Sequence, residues 1–226
     1  MAETEHKETE HKEPEHKETE HKEPEHKETE HKETHNKGTG AGGSTTNHNG
    51  IAFEMKTANE HWLLSRGFVR NPIPGKEKTK YGYYLAKVDE KHTIHFVTQN
   101  GLKYYMAHFH QKHLFREVDE AYIVIDNSTR NTTVKVLEKK YQNGVGSVED
   151  KLLNGYHFKF VEYPGCLGET FKVDYAFCIS AFLKKQYMSD HLKWKIIRKE
   201  NEKNKIPVLF GDDEDYYSKL DEWIHS

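Results

Sequence analysis

The chain has 226 residues, 31% of them charged and 34% hydrophobic, with a formal net charge of −3. No apolar run is long enough for a transmembrane helix, and the charged N-terminus lacks the apolar stretch of a secretory signal. Its two cysteines, Cys166 and Cys178, are too few for a disulfide scaffold, so we expect an intracellular, reducing environment.

Residues 1–50 differ in composition from the rest of the chain. They contain thirteen Glu and seven Lys, and residues 3–32 are six consecutive five-residue units, ETEHK or EPEHK. A period of five matches neither a helix nor a strand, so no apolar face forms, and residues 38–50 are typical of a Gly-rich linker. We expect a disordered acidic, His-rich tail. Its spaced histidines could bind a divalent metal, but a solvated spacer is the simpler interpretation.

Residues 51–226 have the composition and size of one folded domain. They contain 27 basic and 24 acidic residues, a net charge of +3. Helices alternating with strands predict an α/β fold, in which a mixed sheet has helices on both faces. In chain order, periodicity and turn residues predict a helix at 54–66 that ends at Gly67, strands at 81–88 and 92–98, a helix at 100–112, strands at 121–126 and 133–140, a helix after Gly146, a strand at 172–180, a helix at 189–203, a strand at 206–211 and a helix at 213–224.

The polar end of the strand at 133–140 is the most informative feature of the sequence. One face of this strand begins with apolar residues, and because side chains alternate, the same face continues with Glu138, Lys140 and Gln142. Lys139 points to the opposite face. Asp119 stands at the start of the preceding strand, and a polar turn of about six residues allows an antiparallel hairpin to bring it beside Glu138.

Two facing carboxylates with a nearby ammonium suit the chemistry of phosphodiester hydrolysis. The carboxylates repel each other unless a cation lies between them, and their hard oxygen atoms suit Mg²⁺, which takes one or two carboxylates and keeps several waters. A lysine two residues from a metal-binding glutamate can hold or deprotonate a water and offset developing charge. The pattern therefore predicts a Mg²⁺ site at Asp119 and Glu138, with Lys140 beside it.

The same residues resemble a known nuclease motif. Asp119, followed nineteen residues later by Glu138-Lys139-Lys140, resembles the PD-(D/E)XK motif of restriction-endonuclease-like enzymes, with Val118 where the motif usually has proline. The runs HLFREVDEAYIVI, LEKKYQNGVGSVEDKLLNG and VLFGDDEDYYSKLDEWI resemble small type II restriction endonuclease-like proteins, including forms carried by large DNA viruses. The resemblance implies a restriction-endonuclease-like mixed β-sheet flanked by helices, Mg²⁺-dependent cleavage of DNA and often a homodimer.

The resemblance also implies roles for individual residues. Asp119 and Glu138 would bind Mg²⁺, and Lys140 would position or activate the attacking water, so that cleavage of duplex DNA leaves a 5′-phosphate and a 3′-hydroxyl. Glu117 and Glu120 flank Asp119 but point off its face, so we predict that both are surface residues.

Three further polar residues are auxiliary candidates, and each has a structural alternative. Gln142 could hydrogen-bond the phosphate or orient Lys140, or could simply be a polar strand end. Glu149 could face the metal site, although an acid near a helix N-terminus is favourable for the helix dipole alone. Glu60 could add a carboxylate from the first predicted helix, or be an exposed helical residue.

The motif leaves three functions open. The first is a type II restriction-like endonuclease. A structure-specific repair or junction nuclease would use the same site, and cleavage of branched against plain duplex DNA separates the two. The third is a catalytically inactive DNA-binding protein of the same fold, against which the intact Asp, Glu and Lys set argues.

Lys139, on the opposite face of the strand, is expected to serve as a control whose replacement costs little.

Overall fold

The computed structural model describes residues 53–142 and 148–226. The predicted tail and the residues around Gly146 lie outside the described residues. Within the two described ranges, no helix combines the length and apolar character needed to cross a bilayer.

The described strands form one seven-stranded mixed sheet whose spatial order follows the chain. Neighbouring strands from the first to the fifth are antiparallel, whereas the last two pairings are parallel. The sheet confirms the predicted mixed α/β architecture. Its strands are β1 (Val69–Pro72), β2 (Tyr83–Val88), β3 (His92–Gln99), β4 (Val118–Asp126), β5 (Thr132–Lys140), β6 (Phe171–Ile179) and β7 (Val208–Phe210).

Helices cover both faces of the sheet, as the sequence predicts. The elements are α1 (Glu60–Ser65), α2 (Gly101–His110), α3 (Val148–Leu153), α4 (Gly155–His157), a π-helical turn (Phe158–Glu162), α5 (Tyr163–Leu167), α6 (Ala181–Tyr187), α7 (Leu192–Lys203) and α8 (Tyr216–His225). Residues 53–56 form a further helical turn. On one face α2, α3, α5, α6 and α7 supply buried residues to one apolar core, and on the other α1 and α8 supply a second core.

The alternation predicted for β5 is confirmed. Val134 and Val136 pack into the core that contains α2 and α3, whereas Leu137 packs into the core that contains α8. Both faces of β5 are therefore buried along most of its length. Because a slip of one residue would exchange these faces and place Glu138 among apolar side chains, the register of β5 is strongly specified.

The helix predicted at 54–66 is interrupted, which corrects the sequence prediction. Residues 57–59 are not helical, and α1 begins only at Glu60. The cause is two hydrogen bonds to residues that are distant in sequence. The Thr57 carbonyl accepts a hydrogen bond from the Lys139 ammonium at 2.7 Å, and the Asn59 N–H donates to the Glu120 carboxylate at 3.0 Å. The predicted stop at Gly67 is confirmed, and its φ of 88° is a conformation that glycine adopts without strain.

Sequence patterns missed β1, the short helices from α4 to α5, and α6. β1 is a four-residue edge strand that ends in Pro72, and proline weakens a strand prediction although an edge tolerates it. The segment from α4 to α5 contains Pro164 and Gly165, which disfavour a helix prediction, but the burial of Tyr163 and Leu167 stabilises it. α6 was also missed, and the helix predicted at 189–203 begins at Leu192.

Candidate active site

Asp119 and Glu138 are brought together where β4 begins and β5 ends. The antiparallel register pairs Glu120 with Leu137, so the next position along the ladder sets Asp119 opposite Glu138, on the same face of the sheet. In place of a further backbone pair, Asp119 Oδ2 accepts the backbone N–H of Lys139 at 2.6 Å. This hydrogen bond holds the carboxylate against β5, and the predicted hairpin is confirmed.

The surroundings of Glu138 disfavour its ionised form. Burial raises its pKa, the ammonium of Lys140 opposes that rise, and the negative charge of Asp119 adds to it. Lys140 Nζ donates directly to Glu138 Oε1, and the two side chains are only 16% and 24% exposed. Two carboxylates therefore share this strand end with the Lys140 ammonium, and the charge of Lys151 also acts on Glu138.

Glu54 is a third acid at these strand ends, and sequence reasoning missed it. It lies in the helical turn at 53–56, where partial burial and the charge of Asp119 raise its pKa, while Lys139 and Lys140 oppose the rise. Sequence reasoning considered Glu60 on the same predicted helix instead. Six residues correspond to about one and two-thirds helical turns, so even an unbroken helix would not direct both acids to one site.

Glu138 borders two adjoining cavities. One of about 350 Å³ is lined by Glu138, Lys140, Arg116 and Lys151, with Asn154 and aromatic side chains. The other, of about 330 Å³, is also lined by Glu138 and Arg116. The helical crossover between β5 and β6 supplies Lys151 from α3. Cationic side chains beside the acidic strand end make these cavities suitable for a phosphate group.

None of the three auxiliary candidates lines the cavities beside Glu138. Glu60 accepts the Tyr83 hydroxyl at 2.7 Å and pairs with Arg70. Glu149 accepts a hydrogen bond from the Lys193 ammonium at 2.8 Å. Partial burial, the largest single influence, favours a higher pKa, but the hydrogen bond and charge of Lys193 together with a backbone hydrogen bond lower the pKa of Glu149. Gln142 follows β5, and its side chain is buried.

The prediction that Glu120 is a surface residue is wrong. Its side chain is 3% exposed and accepts Lys139 Nζ at 2.7 Å, while the Asn59 amide donates to its second oxygen at 2.5 Å. Lys139 is therefore a structural cation and cannot serve as the neutral control that strand alternation suggested. The physical reason is that helices cover both faces of the sheet, so pointing away from the site does not mean pointing to solvent. Glu117 is exposed, as predicted.

A larger cavity lies at the other end of β5. Its volume is about 960 Å³, and it is open and lined by several lysines together with Asp174. Its deepest charged groups are already paired. Lys135 donates to the Trp223 carbonyl at 2.6 Å, and Asp174 accepts from Lys159 at 2.9 Å and from the Trp223 indole at 3.1 Å. Size alone therefore does not make it the better candidate.

Comparison with known proteins gives no match that could assign a role to this geometry. No family model, no curated protein and no solved structure matches the chain. The nuclease motif therefore stays a prediction from the sequence, and any function has to be inferred from the charges and contacts around Glu138.

Proposed function

We propose that the chain is a Mg²⁺-dependent endonuclease that hydrolyses phosphodiester bonds of duplex DNA, of the type II restriction-like kind. The observation that carries this proposal is the meeting of Asp119, Glu138 and Lys140 at two adjacent strand ends, beside a cavity that is lined by Arg116 and Lys151. The order Asp…Glu-x-Lys also matches the nuclease motif that the sequence resembles.

The residues present fit a hard divalent cation. Among the hydrogen bonds of the described residues, Asp119 accepts only through Oδ2 and Glu138 only through Oε1, so one oxygen of each carboxylate can coordinate a metal ion. The pKa of Glu138 is raised chiefly by burial, and the charge of Asp119 adds to the rise, so a bound cation would stabilise the ionised form of Glu138. Asp119, Glu138 and Glu54 do not form a compact group of three ligands in the described part of the chain. A pair of carboxylates is the set that Mg²⁺ commonly takes while keeping several waters.

Each protein group has a distinct task in this proposal. A bound Mg²⁺ would stabilise charge on the phosphoryl oxygens and favour a hydroxide from bound water. The Lys140 ammonium, held by Glu138, would orient the attacking water and offset charge that develops on the phosphate. Arg116, whose Nε donates to Glu162 at 2.5 Å, and the exposed Lys151 would contact neighbouring phosphates and position the duplex.

The test uses the full chain with plasmid and linear duplex DNA, with Mg²⁺ or with a chelator. We expect cleavage only with Mg²⁺. Asp119→Asn, Glu138→Gln and Lys140→Met should each lower the cleavage rate about 100-fold or more, because each removes a charge needed in the transition state. DNA binding, measured by mobility shift, should persist, since it depends on basic residues elsewhere. Glu202→Gln, at an exposed position late in α7, is the matched control and should cleave normally.

Three other outcomes would contradict the proposal in different ways. Binding without cleavage in any divalent cation would indicate an inactive DNA-binding protein. Cleavage confined to branched DNA would indicate a structure-specific nuclease that uses the same residues. Wild-type cleavage together with full activity in Glu138→Gln would place the reaction elsewhere.

A further inference from the structure

A second cluster of potential ligands lies at the opposite end of the sheet from Glu138. Asp89 and His92 flank the turn between β2 and β3, and the last turn of α8 brings His225 beside them. One potential ligand atom from each of the three lies within 4.8 Å of the other two. His92 pairs with Asp126 at the far end of β4 from Asp119, so about 23 Å of strand separates the two sites.

Two of these side chains are held in place by the surrounding backbone. Asp89 Oδ1 accepts the backbone N–H groups of Lys91 and His92, both at 2.8 Å, which leaves Oδ2 outside those bonds. His225 Nδ1 lies 2.8 Å from the Asp221 carbonyl, so this nitrogen carries the proton and Nε2 keeps a lone pair. When Nε2 of a histidine binds a metal, a backbone carbonyl is one of the usual partners of its Nδ1–H group.

His92 supplies a second, independent observation. Its Nδ1 is buried and has no hydrogen-bond partner among the described residues. Buried polar atoms nearly always have a partner, so an unpaired ring nitrogen requires a reason. The His92 and His225 rings lie 5.8 Å apart, beside a cavity of about 440 Å³ that Asp89 also lines. A cation coordinated by this Nδ1 would supply the missing partner.

We propose that Asp89, His92 and His225 bind a divalent transition-metal ion and that this ion fastens α8 to the turn between β2 and β3. Two imidazole nitrogens and one carboxylate oxygen suit Zn²⁺, whereas Mg²⁺ prefers oxygen ligands alone. The site is independent of the proposed nuclease centre. Its consequence is structural, because Leu220, Trp223 and Ile224 of α8 are buried in the second core.

The experiment compares full-length variants by thermal unfolding with and without Zn²⁺. The N-terminal repeat also contains histidines but no Phe, Tyr or Trp, so unfolding is followed by near-ultraviolet circular dichroism, which reports aromatic side chains. We expect Zn²⁺ at about 100 times its Kd to raise the melting temperature of the wild type by about 5 to 10 °C. His92→Ala and His225→Ala should lose this shift. Asp89→Asn, which keeps an oxygen for the two backbone N–H groups, should lose most of it without unfolding the turn.

His61→Ala is the matched control, since His61 is an exposed histidine on α1 and should keep the full shift. Zinc analysis after dialysis gives a second readout, in which the wild type and His61→Ala should each hold one more Zn²⁺ per chain than His92→Ala does. Equal zinc contents, or equal melting shifts in all variants, would overturn the proposal and assign Zn²⁺ binding to the repeat. Absence of any shift in the wild type would also overturn it.

Discussion

Replacing Lys139 with Met tests how much the buried ion pair between Lys139 and Glu120 contributes to the free energy of unfolding. Lys139 Nζ donates to Glu120 Oε1 and to the Thr57 carbonyl, both at 2.7 Å, and the Lys139 and Glu120 side chains are 4% and 3% exposed. Methionine fills a similar volume but removes the charge and both hydrogen bonds. Glu120 then keeps a buried negative charge that no longer has its cation.

The magnitude follows from the contacts that survive. Removing one partner of a buried ion pair costs about 3–5 kcal/mol. Asn59 still donates to both oxygens of Glu120, at 3.0 and 2.5 Å, so we expect the lower end of that range, about 3 kcal/mol. For a chain of this size, each kcal/mol lowers the melting temperature by about 2–4 °C, which gives a loss of about 6–12 °C.

Urea unfolding followed by tryptophan fluorescence measures this loss directly. Lys139→Met combined with Glu120→Gln should recover most of the lost stability, because the double variant leaves no buried charge without a partner. Lys172→Met, an exposed lysine on β6, should change the free energy of unfolding by less than about 0.5 kcal/mol. A loss below about 1 kcal/mol in Lys139→Met, or a double variant no more stable than the single one, would refute this reasoning.

Two further predictions concern the candidate active site. The raised pKa of Glu138 means that the folded protein keeps this proton at a pH at which the unfolded chain has lost it, so stability falls as pH rises from 4.5 through the raised value. Glu138→Gln should therefore melt above the wild type at about pH 7 and equal to it at about pH 4; equal melting at both would contradict this. Lys151→Gln should reduce the salt dependence of DNA binding, measured by fluorescence anisotropy, by about one unit in the slope of log K against log salt. Lys203→Gln, at the end of α7, should leave that slope unchanged, and equal slopes for both variants would show that Lys151 contacts no phosphate.

The hairpin and its polar end could be predicted from the sequence because they depend on local patterns. Strand alternation alone assigns Glu138 and Lys140 to one face of β5, and a short polar turn limits the pairing of β4 with β5. Contacts that are distant in sequence could not be predicted in this way. The break at residues 57–59 exists because Lys139 and Glu120 bind backbone groups there, and no local propensity reports partners that lie 82 and 61 residues away in the sequence.

The burial of Glu120 could have been predicted from the apolar residues that follow it. The run from Ala121 to Ile125 is apolar at every position, which is typical of a strand buried on both faces and not of one with a solvated side. A charged residue that directly precedes such a run needs a partner in the same layer. Lys139, at the matching end of the neighbouring strand, was the available cation.

Lys139 and Lys140 are adjacent in sequence and neutralise acids on opposite faces of β5, but the two faces are not independent. The buried Lys139–Glu120 ion pair fixes the end of the strand, and on the other face the backbone N–H of Lys139 donates a hydrogen bond to Asp119 Oδ2 at 2.6 Å. Structural order on one side thus positions a carboxylate on the other. Because a side-chain replacement at Lys139 keeps this backbone N–H, its effect on the site has to pass through the position of the strand. Below the unfolding temperatures of both variants, Lys139→Met should therefore retain far more of any cleavage activity than Lys140→Met, whose loss removes a charge from the site itself.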